Sequence, residues 1–290
     1  MNANLFEDCI AAPAKINLAL HVVGRQQDGY HLLESVAVFT ERVADWLSVQ
    51  PAVEDRLIVE GPFAAGVPTD HRNIVLRALV FTRGHARKAG VDVPPLLIRL
   101  TKMLPHGAGI GGGSADAAAL LRHLGTLSPT LPETLAESAA ELGADVPMCL
   151  HSRPLVARGI GEALEEISIK QMPAMLLVNP GRPVATPSVF GALQNRENAP
   201  LPTIPDNGFS SASDLLGWLR NTRNDLEETA KAIEPSIGEA LAGLQRTGAA
   251  FARMSGSGST VFGLYDNAHE AQDAAAAIVR DQPNWWVAVA

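Results

Sequence analysis

The chain has 290 residues, 47% hydrophobic and 19% charged, and a formal net charge of −8 from 23 basic and 31 acidic side chains. That balance belongs to a globular protein with a well-buried core, long enough for two domains or one large one. It argues against a nucleic-acid surface as the main function, so any anion site must be built locally from backbone and a few side chains.

The first eight residues carry acidic groups and no basic-then-apolar pattern, so no secretory leader is expected. No apolar stretch approaches the ~20 residues of a membrane span. Cys9 and Cys149 are far apart and lack Cys or His at ligand spacing, and the eight histidines form no metal motif. The reading is a cytoplasmic protein without a structural metal.

Partial alternation over 15–23, the turn cluster Gly24-Arg-Gln-Gln-Asp-Gly29 and a strand pattern over 30–40 predict a hairpin. Short strands follow at 46–49 and 57–59. A helix is expected over 73–88, capped by Asn73 and closed by Gly90. The strand 96–102 carries Arg99, Thr101 and Lys102 between apolar residues, a half-exposed pattern.

Five glycines (Gly107, Gly109, Gly111, Gly112 and Gly113) then fall within seven positions and stop at a helix-forming run. One turn needs one or two glycines; a denser run suits a row of backbone N–H groups wrapped around an anion. Ser114 and Asp116 are expected to supply N-cap character to a helix over 115–124, its positive end facing the same spot. No Gly-Lys-Ser/Thr follows, so this is not a P-loop. Gly107-Ala-Gly109-Ile-Gly-Gly112 also satisfies G-x-G-x-x-G. A nicotinamide fold would place that signature on its first, all-apolar strand, whereas here about a hundred residues and a half-exposed strand precede it.

Another helix is expected over 132–142, with proline in its first turn and Gly143 just past its end. The pattern fades over 160–172, as at the approach to a domain boundary. A short buried strand at 175–178 follows, then a segment over 180–205 rich in Pro, Asn and Gly that reads as a long loop or lid. Helices at 224–233 and 236–246, strands at 249–254 and 260–265, a helix at 268–280 and a strand at 285–289 suggest a small antiparallel sheet covered by helices.

Three further segments carry polar groups. Lys15 and Asn17 share a strand face, although a strand lysine is commonly just solvated. Tyr30 and His31 leave the hairpin turn together, where aromatics commonly serve packing. Asp145 enters an apolar run, 146–150, interrupted by Pro147. It could be an N-cap or turn aspartate. Partnered by Lys15, it would stay ionised and could accept a proton from a hydroxyl. Met254-Ser-Gly-Ser-Gly-Ser-Thr260 could be a hairpin turn or a backbone wall facing phosphates.

Taken in order, Pro13-Ala-Lys-Ile-Asn-Leu, Asp28-Gly-Tyr-His, Pro105-His-Gly-Ala-Gly-Ile-Gly-Gly-Gly-Ser, Gly143-Ala-Asp-Val-Pro and Met254-Ser-Gly-Ser-Gly resemble the motifs of the GHMP kinases. The resemblance implies an α+β, two-domain GHMP kinase fold. A mixed α/β N-terminal domain would span 1–165, and a ferredoxin-like α/β sandwich 166–290. It implies an ATP-dependent kinase with Mg2+, and Lys15 and Asp145 as the catalytic pair. Pro105, His106, Gly107, Ala108, Gly109, Ile110, Gly111, Gly112, Gly113, Ser114 and Ala115 would bind the ATP phosphates. Asn17, Tyr30, His31 and Thr186 would hold a small-molecule substrate, a cytidine-diphosphate-linked polyol. His31 would read the cytosine edge. Partners would not include nucleic acid or membrane, and the chain would be a monomer or homodimer. The family loop often reads Gly-Gly-Gly-Ser-Ser. Here Ala115 replaces the second serine, which leaves Ser114 as the candidate hydroxyl for phosphate or metal. Related N-terminal domains share their topology with some RNA-binding domains, a use the net charge disfavours.

Overall fold

The computed structural model describes residues 9–27 and 29–290. Asp28 of the Asp-Gly-Tyr-His motif and the acidic segment at 1–8 lie outside the described residues. The chain divides into two compact units.

The first unit holds the described residues up to Lys15, Arg42–Leu104 and Gly111–Ser152. It takes the start of β1 (Ile10–Arg25) and the later part of β2 (His31–Pro51). Here β2 runs antiparallel to β4 (Leu96–Thr101), with Trp46 opposite Thr101, and β4 runs parallel to β3 (Arg56–Glu60). The crossover from β3 to β4 is α1 (Ile74–Lys88). Asn73 caps it as expected: its Oδ1 accepts the Val75 N–H at 2.8 Å. Gly90, at φ +71°, follows the helix end. α2 (Gly112–Gly125) packs against α1 and against α4 (Val146–His151), while α3 (Leu131–Ser138) closes the layer. Ala117, Ala118, Leu120, Leu121 and Leu124 of α2 are all buried, consistent with an alanine-rich helix that approaches its neighbours closely.

Three expectations change here. The strands expected at 30–40 and 46–49 are one, because the exposed Glu41 and Arg42 sit within a continuous strand. The helix over 132–142 ends at Ser138 and continues only as a 3-10 turn. α2 starts at Gly112, not 115; its cap is Gly111 in the left-handed region at φ +66°, with no side-chain capping bond. Ser114 and Asp116 therefore lie inside the helix and do not cap it.

The second unit holds Ile16–Glu41, Pro105–Ile110 and Arg153–Ala290. The early part of β2 pairs antiparallel with β5 (Leu155–Gly159), which turns into β6 (Ala163–Glu166). This hairpin replaces part of the expected patternless stretch; β6 is mostly exposed, so it shows little apolar alternation. A four-stranded antiparallel sheet has the order β10-β7-β9-β8, from β7 (Ala174–Asn179), β8 (Phe251–Met254), β9 (Val261–Tyr265) and β10 (Trp286–Val289). α8 (Ser236–Arg246) and α9 (Ala268–Asp281) pack on it, burying Ile237, Leu244, Ala271 and Ile278 against Leu176, Val178 and Val261. The sequence β7-α8-β8-β9-α9-β10 with this strand order is the ferredoxin-like sandwich expected. The segment 180–205 is not one continuous loop, since α5 (Thr186–Ala192) forms within it behind Pro187. Helix α6 (Ala212–Leu219), capped by Ser211, was not foreseen, and α7 (Glu227–Ile233) starts slightly later than read.

Candidate active site

Lys15 and Asp145 meet within the first unit. Lys15 Nζ donates to Asp145 Oδ2 at 2.7 Å, with the lysine side chain 5% exposed and the aspartate 40%. Asp145 occupies the N-cap position of α4, yet its side chain makes no capping bond. Its carboxylate is thus spent on Lys15 and on whatever approaches from solvent. A buried ammonium needs such a partner. Gly111 lies against the Lys15 stem: a Cβ there would stand 3.3 Å from Lys15 Cβ and 3.4 Å from its Cε. Its φ of +66° also disfavours other residues. The exit of the glycine loop and the ion pair are therefore in contact. Beside them, burial pushes the Cys149 thiol up to about 12, with Asp145 adding to the rise. Ser114 is half-buried, whereas Ala115 is 1% exposed, so a hydroxyl at 115 would face packed side chains.

The earlier half of the loop, Pro105–Ile110, belongs to the second unit. Gly109, at φ +71°, could carry no side chain, since a Cβ would stand 2.4 Å from the Ser255 carbonyl oxygen. Ser255 Oγ donates to Gly109 O at 2.9 Å, and the Thr260 N–H donates to Ala108 O at 3.1 Å. The second glycine cluster is thus a turn between β8 and β9 that braces this loop. Asn17 joins the same network: its N–H donates to Ser255 Oγ at 3.1 Å, and its Nδ2 to Ser35 Oγ at 2.7 Å. Asn17 Oδ1 is buried with no partner.

His31 opens β2 and rests on Phe190 of α5, ring centroids 4.9 Å apart. Its Nε2 is also buried without a partner. Burial lowers the His31 pKa, and the positive charges of Arg196 and Arg25 lower it further, so the ring is neutral near pH 7. A buried, unpartnered polar atom is costly unless something fills it, and two lie among the residues expected at the substrate. Tyr30 is 63% exposed. Thr186, the first residue of α5, shares a 2.7 Å hydrogen bond with Ser257.

Phe190, Arg196 and Ser35 were not singled out in the sequence, and Ser255 only as part of the Met254–Thr260 cluster. Phe190 and Arg196 sit in the Pro- and Asn-rich segment read as loop, where no periodicity marks an inward face. Among the described residues, no group of three or more His, Cys, Asp or Glu side chains is placed to hold a metal. No helix among them is long and apolar enough to cross a membrane.

Two family models match, GHMP kinases N terminal domain over residues 73–153 and GHMP kinases C terminal over 202–284. A 4-diphosphocytidyl-2-C-methyl-D-erythritol kinase of Mesorhizobium japonicum is 50% identical over 281 residues, covering 96% of this chain and 93% of that one. The protein of the same name from Chelativorans sp. is 50% identical over 282 residues, covering 97% and 94%. A crystal structure of 4-(cytidine 5'-diphospho)-2C-methyl-D-erythritol kinase superposes with a TM-score of 0.76 at 34% identity, covering 97% of this chain and 98% of that one. The homoserine kinase from Cytophaga hutchinsonii, at 16% identity and a TM-score of 0.68 over 97% and 92% of the two chains, shares the fold. With relatives this similar along nearly its whole length, the chain belongs to the GHMP kinase family.

Proposed function

We propose that this chain transfers the γ-phosphoryl group of ATP to the 2-hydroxyl of 4-diphosphocytidyl-2-C-methyl-D-erythritol, a step in non-mevalonate isoprenoid precursor synthesis. The observation that carries the reading is the Lys15–Asp145 pair in contact with Gly111 of the glycine loop. Phosphoryl transfer needs little covalent work from a protein: it needs both partners placed in line and charge on the phosphoryl oxygens stabilised. Asp145 takes the proton of the attacking hydroxyl. Lys15 holds the carboxylate in place and ionised, and adds a positive charge beside the transferring group. Backbone N–H groups from Pro105 to Ala115 bind the phosphates.

On the acceptor side, Asn17, Tyr30, His31 and Thr186 hold the cytidine-bearing alcohol. The unpartnered Asn17 Oδ1 and His31 Nε2 supply an acceptor and an imidazole nitrogen for a base edge, and Tyr30 supplies an exposed ring for stacking. Mg2+ would arrive with the nucleotide. It commonly binds through one or two protein oxygens plus substrate phosphates, and the half-buried Ser114 hydroxyl is the candidate protein oxygen. When bound it would offset charge on the phosphates. Domain limits of 1–165 and 166–290, a cytoplasmic location and a monomer or homodimer complete the reading.

The test is a coupled ADP-release assay over a panel of alcohols with and without a cytidine diphosphate group. Turnover is expected for the cytidine-bearing alcohol and to be at least a hundredfold lower in kcat/KM without the nucleotide. Equal or better turnover of homoserine or mevalonate would assign the chain to another alcohol within the family.

A further inference from the structure

The first turn of α2 sits on three buried ionisable side chains. Lys102, which follows β4, is 3% exposed, Asp45 of β2 is fully buried, and Asp116 of α2 is 2% exposed. Lys102 Nζ donates to Asp116 Oδ2 at 2.7 Å and also to Asp45 Oδ2. The other oxygen of Asp45 accepts the backbone N–H groups of Met103 at 2.6 Å and Leu104 at 2.9 Å. One ammonium thus joins β2, the end of β4 and α2. A Cβ placed on Gly112 would stand 3.5 Å from Asp45 Oδ2 and 3.6 Å from Lys102 Nζ, so the backbone that opens the helix lies directly on this cluster. Burial drives the Asp116 acid well above the usual carboxylate range. It also pulls Lys102 down, but Asp116 and Asp45 outweigh it and hold the ammonium above its ordinary value.

Buried ion clusters seldom stabilise a fold more than well-packed apolar residues would. What they fix is direction, because each hydrogen bond has one good geometry. Glycines lack a Cβ to bias their backbone, so the conformation here is set by the helix bond from the Ala115 N–H to Gly111 O at 2.8 Å and by what packs on the turn, which at Gly112 is this cluster. An anion site works through donors already in place before the ligand arrives. We propose that Lys102, Asp45 and Asp116 are positioning residues that hold the backbone N–H groups of Gly111, Gly112 and Gly113 in register for the ATP phosphates. The inference rests on the kinase reading above. Their proposed action runs through the backbone of α2, where Asp116 sits and where Gly112 lies against Asp45 and Lys102. Charge reinforces the point. Fully ionised, the cluster is net negative beside a site for a polyanion, and neutralising Asp116 removes that penalty.

The test measures affinity for a non-hydrolysable ATP analogue and for CDP by calorimetry, with melting curves, on the full chain. Asp116→Leu removes the acceptor and should weaken the analogue at least tenfold with CDP within twofold of the unsubstituted chain. Asp116→Asn keeps an oxygen for Lys102 and removes the charge, so analogue affinity should stay within twofold or improve. Should Asp116→Leu fail to fold, Lys102→Arg decides: it keeps the charge with a different reach and should weaken the analogue at least fivefold with CDP unchanged. Analogue affinity within twofold in the deciding variant, or equal weakening of both ligands, overturns the proposal. An unsubstituted chain that does not bind the analogue overturns the kinase reading with it. One that binds it without phosphorylating the cytidine-bearing alcohol overturns only the substrate, and the analogue affinities still judge the cluster.

Discussion

Within one compact unit, Lys15 donates to Asp145 and Lys102 to Asp116 at the same distance, 2.7 Å. The surroundings separate them. The Asp145 side chain is 40% exposed, whereas Asp116 and Asp45 are 3% and 0% exposed. A carboxylate half in water can exchange its partner for a substrate hydroxyl at small cost. One sealed in the interior cannot, and a second buried carboxylate adds repulsion that the shared lysine and the Met103 and Leu104 N–H groups offset. Similar ion pairs thus differ in solvent access, and that difference is why we assign reaction to the Lys15–Asp145 pair and positioning to the Lys102 cluster.

The largest effect expected from breaking this comparison is on turnover. Asp145→Asn should fold normally and bind ATP, yet lose kcat by ~10²–10⁴, the usual contribution of a general base. Retention of more than about a tenth of kcat, measured by ADP release, would remove Asp145 from that role.

Stability should split the two lysines in the opposite sense. Lys102→Met leaves two carboxylates buried without their cation and should cost about 3–5 kcal/mol in denaturant unfolding. Lys15→Met leaves Asp145 free to rehydrate and should cost about 1 kcal/mol or less. Comparable losses would show that exposure does not distinguish the pairs.

Gly111 links the reactive pair to the loop, so Gly111→Val probes their contact. A β-branched side chain at φ +66°, pressed against Lys15, brings strain of order 1–3 kcal/mol and blocks the phosphates. Affinity for the ATP analogue should fall at least tenfold by calorimetry while CDP binding stays nearly intact; equal loss of both would point to misfolding.

The smallest effect concerns a charge kept off altogether. His31→Ala should raise KM for the cytidine-bearing alcohol about tenfold, consistent with ~1–3 kcal/mol for a lost buried hydrogen bond, and leave KM for ATP unchanged. Because the folded pKa of His31 lies below 6.5, the neutral ring persists above that value. Its contribution to stability is present above pH 6.5 and is lost as pH falls through the lowered value. KM for the alcohol should rise over the same window, in the unsubstituted chain only.

The glycine loop, the helices and strands of the C-terminal half and the Asn73 cap were legible in the amino-acid sequence, with the ferredoxin-like fold and the pairing of Lys15 with Asp145 implied by the family motifs. Each depends on neighbours along the chain: glycine density, the spacing of apolar residues, or a short motif with a chemical reason behind it. The sequence also misled in particular ways. Ser114 and Asp116 read as helix caps, but the glycine before the helix takes the cap position and Asp116 turns inward to Lys102. Lys102 read as one of the polar residues of a half-exposed strand and is buried. Those assignments turn on where a side chain 14 or 57 positions away in the chain is placed, as in the Lys102 bonds to Asp116 and Asp45. Likewise Phe190 meets His31, and Ser255 meets Gly109 146 positions away, through folding alone. Local pattern reports the period and the turns of the backbone, because these arise from adjacent residues. Burial, the partner of a charge and the unpartnered atoms of a site arise from contacts between distant segments, so only the tertiary structure decided them.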